Sequence, residues 1–287
     1  MSDLADRRRF FAEEIQAICN LQTPALVDAL ACVPRERFLP PGPWTVLSLA
    51  DFVPGTVAAP RVTPDGDPRR VYHNIGIAID VSRQLFNGQP ATIAVWVDAL
   101  GLTPGARVLH VGCGPGYYTA LMAHCVGPTG RVVAVEIDEA LAADARVNLA
   151  STGWVDVRVG DGRNLDGESF DAILVNAGVT HPEAVWLDAL APGGRLILPL
   201  TCAIGPMGPI SKGFVIKLSK RVDTFDAAIV TMVAIYSAIG IRDPELNNRL
   251  GEALRRNTFP AIKRLRRDAH EPSLGCWLHD SAFCLSA

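Results

Sequence analysis

Lysine is nearly missing from this chain. Lys212, Lys217, Lys220 and Lys263 are the only lysines among 27 basic residues, so arginine carries almost all the positive charge. We read that bias as genomic base composition rather than function. Paired cysteines are missing too. The seven (Cys19, Cys32, Cys113, Cys125, Cys202, Cys276 and Cys284) are scattered, odd in number and form no CxxC. That excludes a disulfide framework and argues against zinc, so no metal site is expected and the thiols read as reduced residues of a cytoplasmic protein. Long apolar runs are absent as well. The longest, around 227–241, is broken by Thr231, Ser237 and Gly240, far from the roughly 18 uninterrupted apolar residues of a membrane helix. The opening MSDLADRRRFFAEEIQAICNL mixes charges among its apolar positions and offers no signal-peptide core. Neither sign of charge dominates: 27 basic against 30 acidic residues leave −3, with a pI near 6.1. Membrane and nucleic-acid partners are therefore not expected.

What remains is an ordinary globular composition, 287 residues with 49% hydrophobic and 20% charged. Residues 3–19 read as an amphipathic helix with Leu4, Phe10, Phe11, Ile15 and Ile18 on one side, and 24–32 as a second helix stopped by Val33-Pro34. From 39 to 70, seven prolines and several glycines predict an irregular flap. Apolar strands then alternate with helices: RVLHVG (107–112), the helix YYTALMAHCV, RVVAVEID (131–138), a helix over 139–151, VDVRVGD (155–161), FDAILVN (170–176), a helix over 182–190 and RLILPLT (195–201). That alternation predicts βαβ units and a mostly parallel sheet. FVIKLSK (214–220) and AIVTMVAIY (228–236) have no helix between them and predict an antiparallel hairpin on one edge. The rest reads as helical and basic, and RRNTFPAIKRLRR (255–267) is either a solvated helical face or a dock for an acidic peptide.

The chemistry concentrates in HVGCGPGYYT. Gly112, Gly114 and Gly116 lie between a strand and a helix, where the chain must turn sharply and bring bare backbone against a ligand at the helix N-terminus. Tyr117 makes the spacing GxGxG rather than the dinucleotide GxGxxG. Glu136 ends the next strand about 20 residues on, where an acid can accept both ribose hydroxyls. Asp161 ends the third strand and can accept from an exocyclic adenine amine; Asn176 ends the fourth. Polar residues at four strand ends along one sheet edge build a nucleoside pocket.

The set resembles class I S-adenosylmethionine-dependent methyltransferases and, among them, the protein-L-isoaspartate O-methyltransferase family. The matching stretches are VPRERFLP (33–40), Val71-Tyr72, Gln89-Pro90, LTPGARVLHVGCGPGYYTALMA (102–123), VGDG (159–162), FDAILVNAG (170–178) and LAPGGRLILPL (190–200). The resemblance implies a doubly wound, Rossmann-like α/β sheet with an antiparallel edge hairpin over 71–240. A helical and proline-rich cap over 1–70 and a helical extension over 241–287 would flank it. It implies S-adenosyl-L-methionine as methyl donor, leaving S-adenosyl-L-homocysteine. The implied donor contacts are Gly112, Cys113, Gly114, Glu136, Asp161, Gly162 and Asn176, with Gln89, Gly116, Tyr117 and Ile137 beside them.

The acceptor side departs from the family. Its repair enzymes carry Thr-Ile-Ser just before the Gln/Ala-Pro pair, the serine lying beside the acceptor; here the segment reads Phe86-Asn87-Gly88. The usual acidic pair after the tyrosine is His73-Asn74, and the segment up to Gln89 is slightly longer. A carboxylate acceptor needs no general base, whereas an alcohol or amine would, and His73 and His181 are the candidates. With Asn87 and Gly88 they form the candidate catalytic set, while His110 and His124 read as structural. The expected activity is O-methylation of a carboxylate on a peptide or protein. The rivals are a small molecule or biosynthetic peptide as acceptor, and a catalytically idle donor-binding module. Gly88 predicts weak isoaspartyl methylation, partly recovered in Gly88→Ser.

Overall fold

The computed structural model describes residues 2–47, 61–203, 208–222 and 224–287. They fall into two compact units, one of 1–105 with 113–159, the other of 106–112 with 160–287. Residues 48–60 of the expected flap, including Pro54 and Pro60, lie outside the described residues.

The first unit opens with helices α1 (Ser2–Cys19) and α2 (Pro24–Cys32). Phe11, Ala12 and Ile15 carry the buried face of α1. Phe10 and Ile18, expected on that face, are 61% and 58% exposed, so the apolar stripe is narrower than the composition suggested. Pro24 suits the first turn of α2, where its missing N–H costs nothing. The Asp98 carboxylate accepts from the Gln22 and Thr23 amides ahead of it. Four short strands, β1 (Thr45–Leu47), β2 (Arg61–Val62), β3 (Gly76–Asp80) and β4 (Leu85–Phe86), form a small antiparallel sheet in the order β2-β1-β3-β4, the first two of them within the flap expected to be irregular. Helix α3 (Pro90–Leu100) follows, closed by Gly101 in the left-handed conformation.

After β5 (Arg107–Val111), which belongs to the second unit, the chain returns to the first as α4 (Tyr117–Val126), β6 (Arg131–Glu136), α5 (Glu139–Leu149) and β7 (Val155–Val159). β6 and β7 pair in parallel from Val132↔Val155 to Glu136↔Val159. Asp138 caps α5 by accepting from the Ala140 and Leu141 amides.

In the second unit β5 pairs in parallel with β8 (Phe170–Val175), and β8 with β9 (Leu190–Ala203). Helix α6 (Ala184–Ala189) joins the last two and is shorter than expected, because extended pairing resumes at Leu190 before the Pro-Gly-Gly turn rather than after it. β10 (Ile210–Lys220) and β11 (Phe225–Tyr236) form the expected antiparallel pair.

The hairpin is not the edge. Helix α7 (Pro244–Arg255) ends at Arg255, and β12 (Arg264–Arg266), β13 (Cys276–His279) and β14 (Cys284–Ser286) extend the sheet in the order β13-β14-β12-β11-β10-β9-β8-β5. The expected helical extension thus keeps one helix, α7, and continues as three short strands. Asn257, at φ 52° in the left-handed region, follows the end of α7 and stops it; farther on, Leu265 turns into the core while Arg264 stays exposed. The solvated helical face read at 255–267 does not exist as a helix.

Candidate functional site

In the first unit the glycine turn and the acid after it are already joined. The Gly114 amide donates to Glu136 Oε2 at 2.8 Å, and the Asp138 amide donates to Oε1 at 3.1 Å. Glu136 is only 7% exposed. An ionised carboxylate has about four lone-pair sites, so two charge-assisted bonds hold it in place and leave capacity for a pair of vicinal hydroxyls. Gly114 has φ 53°, and a Cβ built there meets nothing within 4 Å. The opposite constraint holds at Gly116. Its φ is 100°, and a Cβ there would lie 2.8 Å from Leu149 Cδ1, so only glycine lets α4 start against α5.

Cys113 is buried, and burial, helped by the Glu136 charge, pushes its thiol far up. It is therefore a neutral packing group and not a nucleophile. Tyr117 opens α4, with its ring edge-on to Phe38 and to Tyr118; its hydroxyl is shut from solvent without a partner, and burial raises it to about 12. Ile137, next to Glu136, is 44% exposed, an apolar side chain left at the strand end.

The second unit carries the other strand ends. The Asn176 amide donates to Val111 O at 2.8 Å, and a Cβ on Gly112 would meet Asn176 O at 3.4 Å, so the two strand ends are in close contact. A Cβ on Gly162 would overlap Val111 Cγ1 at 2.4 Å, and the Gly162 carbonyl accepts the Trp186 indole N–H at 2.9 Å. Asp161, expected to accept an adenine amine, is held by Arg163: its Oδ1 takes the Arg163 amide at 2.9 Å and Nε at 3.0 Å, and its Oδ2 takes Nη2 at 2.6 Å. Those bonds keep its carboxyl below the usual carboxylate range.

The acceptor-side candidates behave differently. Asn87 is buried, and its Oδ1 accepts from the Ile77 amide at 3.0 Å and from Arg35 Nη2 at 3.2 Å. Gly88 has φ 79° and its carbonyl accepts Tyr118 Oη at 3.3 Å. Gln89 donates to Asn74 O at 2.9 Å. His73 has an exposed side chain. His181 lies in the second unit, with Nδ1 2.9 Å from Thr180 Oγ1 and Nε2 3.5 Å from Glu183. The structure therefore gathers Asn87, Gly88 and Gln89 into one framework and gives no side-chain bond linking His73 to it.

Two features escaped sequence reasoning. The first is Arg35, fully buried, whose guanidinium donates to Val71 O at 2.6 Å, His73 O at 3.1 Å and Ile75 O at 2.7 Å as well as to Asn87. It ties VPRERFLP to the 71–77 segment, and no hydropathy pattern signals an arginine that is inside. The second is the meeting of His270, Cys276, His279 and Cys284. Scattered cysteines concealed it; the signal was two histidines interleaved with two cysteines inside 15 residues. His110 is buried, as expected of a structural histidine, and burial lowers it to about 3.

Known proteins resemble this chain in sequence and in fold. The family model for protein-L-isoaspartate(D-aspartate) O-methyltransferase matches residues 61–208. A protein-L-isoaspartate O-methyltransferase of Methylorubrum extorquens (strain PA1) is 33% identical over 250 residues, covering 84% of this chain and 93% of that relative. Another, of Methylorubrum populi, is 38% identical over 213 residues, covering 72% and 83%. A solved protein-L-isoaspartate O-methyltransferase aligns with TM-score 0.63 at 22% identity, over 86% of this chain and 69% of its own. A Plasmodium falciparum protein assigned to the same activity and crystallised with S-adenosyl-L-homocysteine aligns with TM-score 0.59 at 16% identity, over 80% and 97%. At such identities the two structures speak for the fold alone. The sequence matches go further: this chain belongs to the protein-L-isoaspartate O-methyltransferase family of S-adenosylmethionine-dependent O-methyltransferases.

Proposed function

We propose that this chain uses S-adenosyl-L-methionine to methylate a carboxylate on a peptide or protein other than the isoaspartyl group of the repair enzymes. The observation that carries the donor half is the Glu136 carboxylate, buried and fixed by the Gly114 and Asp138 amides with lone pairs to spare. Glu136 would hold the ribose hydroxyls, and Gly114 would offer backbone without a Cβ in the way. When bound, the donor supplies a methyl group activated on a sulfonium.

The acceptor half follows from chemistry. A carboxylate is already ionised at neutral pH, so an oxygen lone pair attacks the methyl carbon while the carbon–sulfur bond breaks, its electrons going to sulfur. An ester and a thioether result, and no proton moves. The residues then have only to align the partners and keep water out. That suits a segment in which Asn87 is spent on the framework and His73 points to solvent. By the resemblance, Gly88 stands where the repair enzymes carry a serine, and it has no hydroxyl to orient an isoaspartyl carboxylate. Cytoplasmic action is part of the same reading. Among the described residues no helix is long and apolar enough to cross a membrane.

The test is transfer of radiolabelled methyl from the donor to a peptide panel containing isoaspartyl, aspartyl, glutamyl and C-terminal carboxylates, with small carboxylic acids alongside. Base-labile label on a peptide carboxylate, with little on the isoaspartyl peptide, is expected. Isoaspartyl turnover equal to that of a repair enzyme would overturn the choice of acceptor. Donor binding without transfer to any acceptor would make the chain an idle module.

A further inference from the structure

The C-terminal strands carry chemistry that methyl transfer does not use. In the second unit, one ligand atom from each of His270, Cys276, His279 and Cys284 lies within 4.8 Å of all the others. We propose that these four side chains bind one zinc ion, as a closed structural site clasping β12, β13 and β14.

Backbone geometry brings the four together. His279 and Cys284 face each other directly across the β13–β14 pair. Cys276 is three residues before His279, a spacing that in a regular strand would put them on opposite faces. The pairing shifts register between Cys276 and Leu278, and such a bulge resets the alternation so that both reach the same side. His270 enters from the loop after β12, its Nε2 3.7 Å from Cys276 Sγ and its ring 4.7 Å, edge-on, from that of His279. A tetrahedral ion with bonds of about 2.0–2.3 Å needs ligand atoms about 3.3–3.8 Å apart. The cluster is within about 1 Å of that size, a difference that side-chain rotations cover.

The surroundings are those of ligands rather than of a packed core. The Asp268 carbonyl lies 2.8 Å from His270 Nδ1. A proton held there leaves the Nε2 lone pair for the metal, the usual outer partner of a zinc histidine. Cys276 Sγ accepts from the Ser273 amide at 3.3 Å and has Ser273 Oγ at 3.5 Å, donors that favour a thiolate. His279 Nδ1 is shut from solvent with no hydrogen-bond partner, which is costly unless something else satisfies the ring.

Two sulfurs and two imidazoles with no oxygen select zinc over magnesium or calcium, and four protein ligands close the site. Two thiolates also cancel the charge of the ion. The need is evident from the strands, which have three, four and three residues. Such short pieces gain the most from a metal that exists only in the folded state.

Elemental analysis of the full chain, purified without chelator, tests this. One zinc per chain is expected, retained in Cys32→Ser and lost in Cys276→Ser, Cys284→Ser and His279→Ala. Cobalt added to the chelator-stripped protein should give the visible absorption of a tetrahedral thiolate complex, and stripping should lower the melting temperature. The wild-type measurements decide the matter even if a variant fails to fold. Absence of zinc together with absence of the cobalt band would overturn the proposal, as would a native Cys276–Cys284 disulfide by mass spectrometry. Donor affinity, measured by calorimetry on the same samples, reports on the methyltransferase reading separately.

Discussion

Gly114 and Gly88 both sit in the left-handed region, at φ 53° and 79°, inside the same compact unit. Their surroundings are opposite. A Cβ on Gly114 would meet nothing within 4 Å, and its amide is directed at a carboxylate with lone pairs to spare. A Cβ on Gly88 would press on Ile93 Cγ1 at 3.1 Å and on Tyr118 Oη at 3.4 Å, and the neighbouring Asn87 oxygen is consumed by Ile77 and Arg35. Around one glycine there is room for something else to approach; around the other the scaffold has closed. A positive φ therefore identifies a site only when open space and unspent polar capacity accompany it.

The largest effect should come from Arg35, the bracket of the closed turn. Arg35→Met removes a buried charge but takes the guanidinium from the carbonyls of Val71 and Ile75, while His73 O keeps the Ile75 amide and Asn87 Oδ1 the Ile77 amide. We expect a loss of about 3–4 kcal/mol in urea unfolding, with donor affinity per folded molecule little changed. Full stability with abolished turnover would make Arg35 part of the acceptor site and break the contrast.

The open turn is tested through Glu136. Glu136→Ala should weaken donor or product binding by about 1–3 kcal/mol in calorimetry, because charge-assisted bonds to the ribose are lost. Glu136→Gln keeps the shape and should lose less. Unchanged affinity in the alanine variant would remove Glu136 from the donor site.

Gly88→Ser comes next and revises the expectation of partial recovery. A side chain at φ 79° against Ile93 costs about 1–2 kcal/mol of strain before any hydroxyl can act. We therefore expect a lower melting temperature and no gain in isoaspartyl methylation. A gain in that activity without loss of stability would show the segment to be more open than its packing indicates.

His110 lies on the strand leading into the open turn, fully buried and held neutral, its ionisation lowered to about 3. In the unfolded chain it protonates near 6.5, so the unfolded state gains protons first as the pH falls. The stability of the neutral ring is complete above the unfolded value and is lost on the way down from about 6.5 toward 3. Its ring protons should show no titration in NMR down to about pH 5, and a midpoint near 6 would refute the assignment.

The parallel strands, the glycine turn and its acid were legible because each rests on local rules: β-branched runs, a turn that only glycine permits, and strand ends at regular intervals. Glu136 is the clearest case. Arg35 was not legible, because its burial is decided by carbonyls 36 to 40 residues away. The extension after Arg255 was misread because helix propensity and basic charge look alike in LRRNTFPAIKRLRR, while the strand at Arg264–Arg266 depends on partners in β11 and β14. Cysteine spacing failed for the same reason: the bulge that turns Cys276 toward His279 is a property of pairing and not of sequence distance.

The smallest effect should be that of His73. The resemblance sets it where the repair enzymes carry an acidic residue, which made it a candidate base, yet its side chain is exposed, and its carbonyl accepts from Arg35 and from the Ile75 amide. A general base must lie within about 2.6–3.2 Å of the proton it takes, or one water away, and attack by a carboxylate presents no such proton. His73→Ala should leave kcat and kcat/KM within about twofold, since exposed positions away from buried networks shift energies by less than about 0.5 kcal/mol. The pH–rate profile discriminates further. If it is flat from about pH 6 to 8 in both proteins, the acceptor is already ionised and His73 is a bystander. A limb near the histidine range that vanishes in the variant would make His73 the base. The acceptor would then be an alcohol or amine, and the segment around Gly88 would belong to the chemistry rather than to the scaffold.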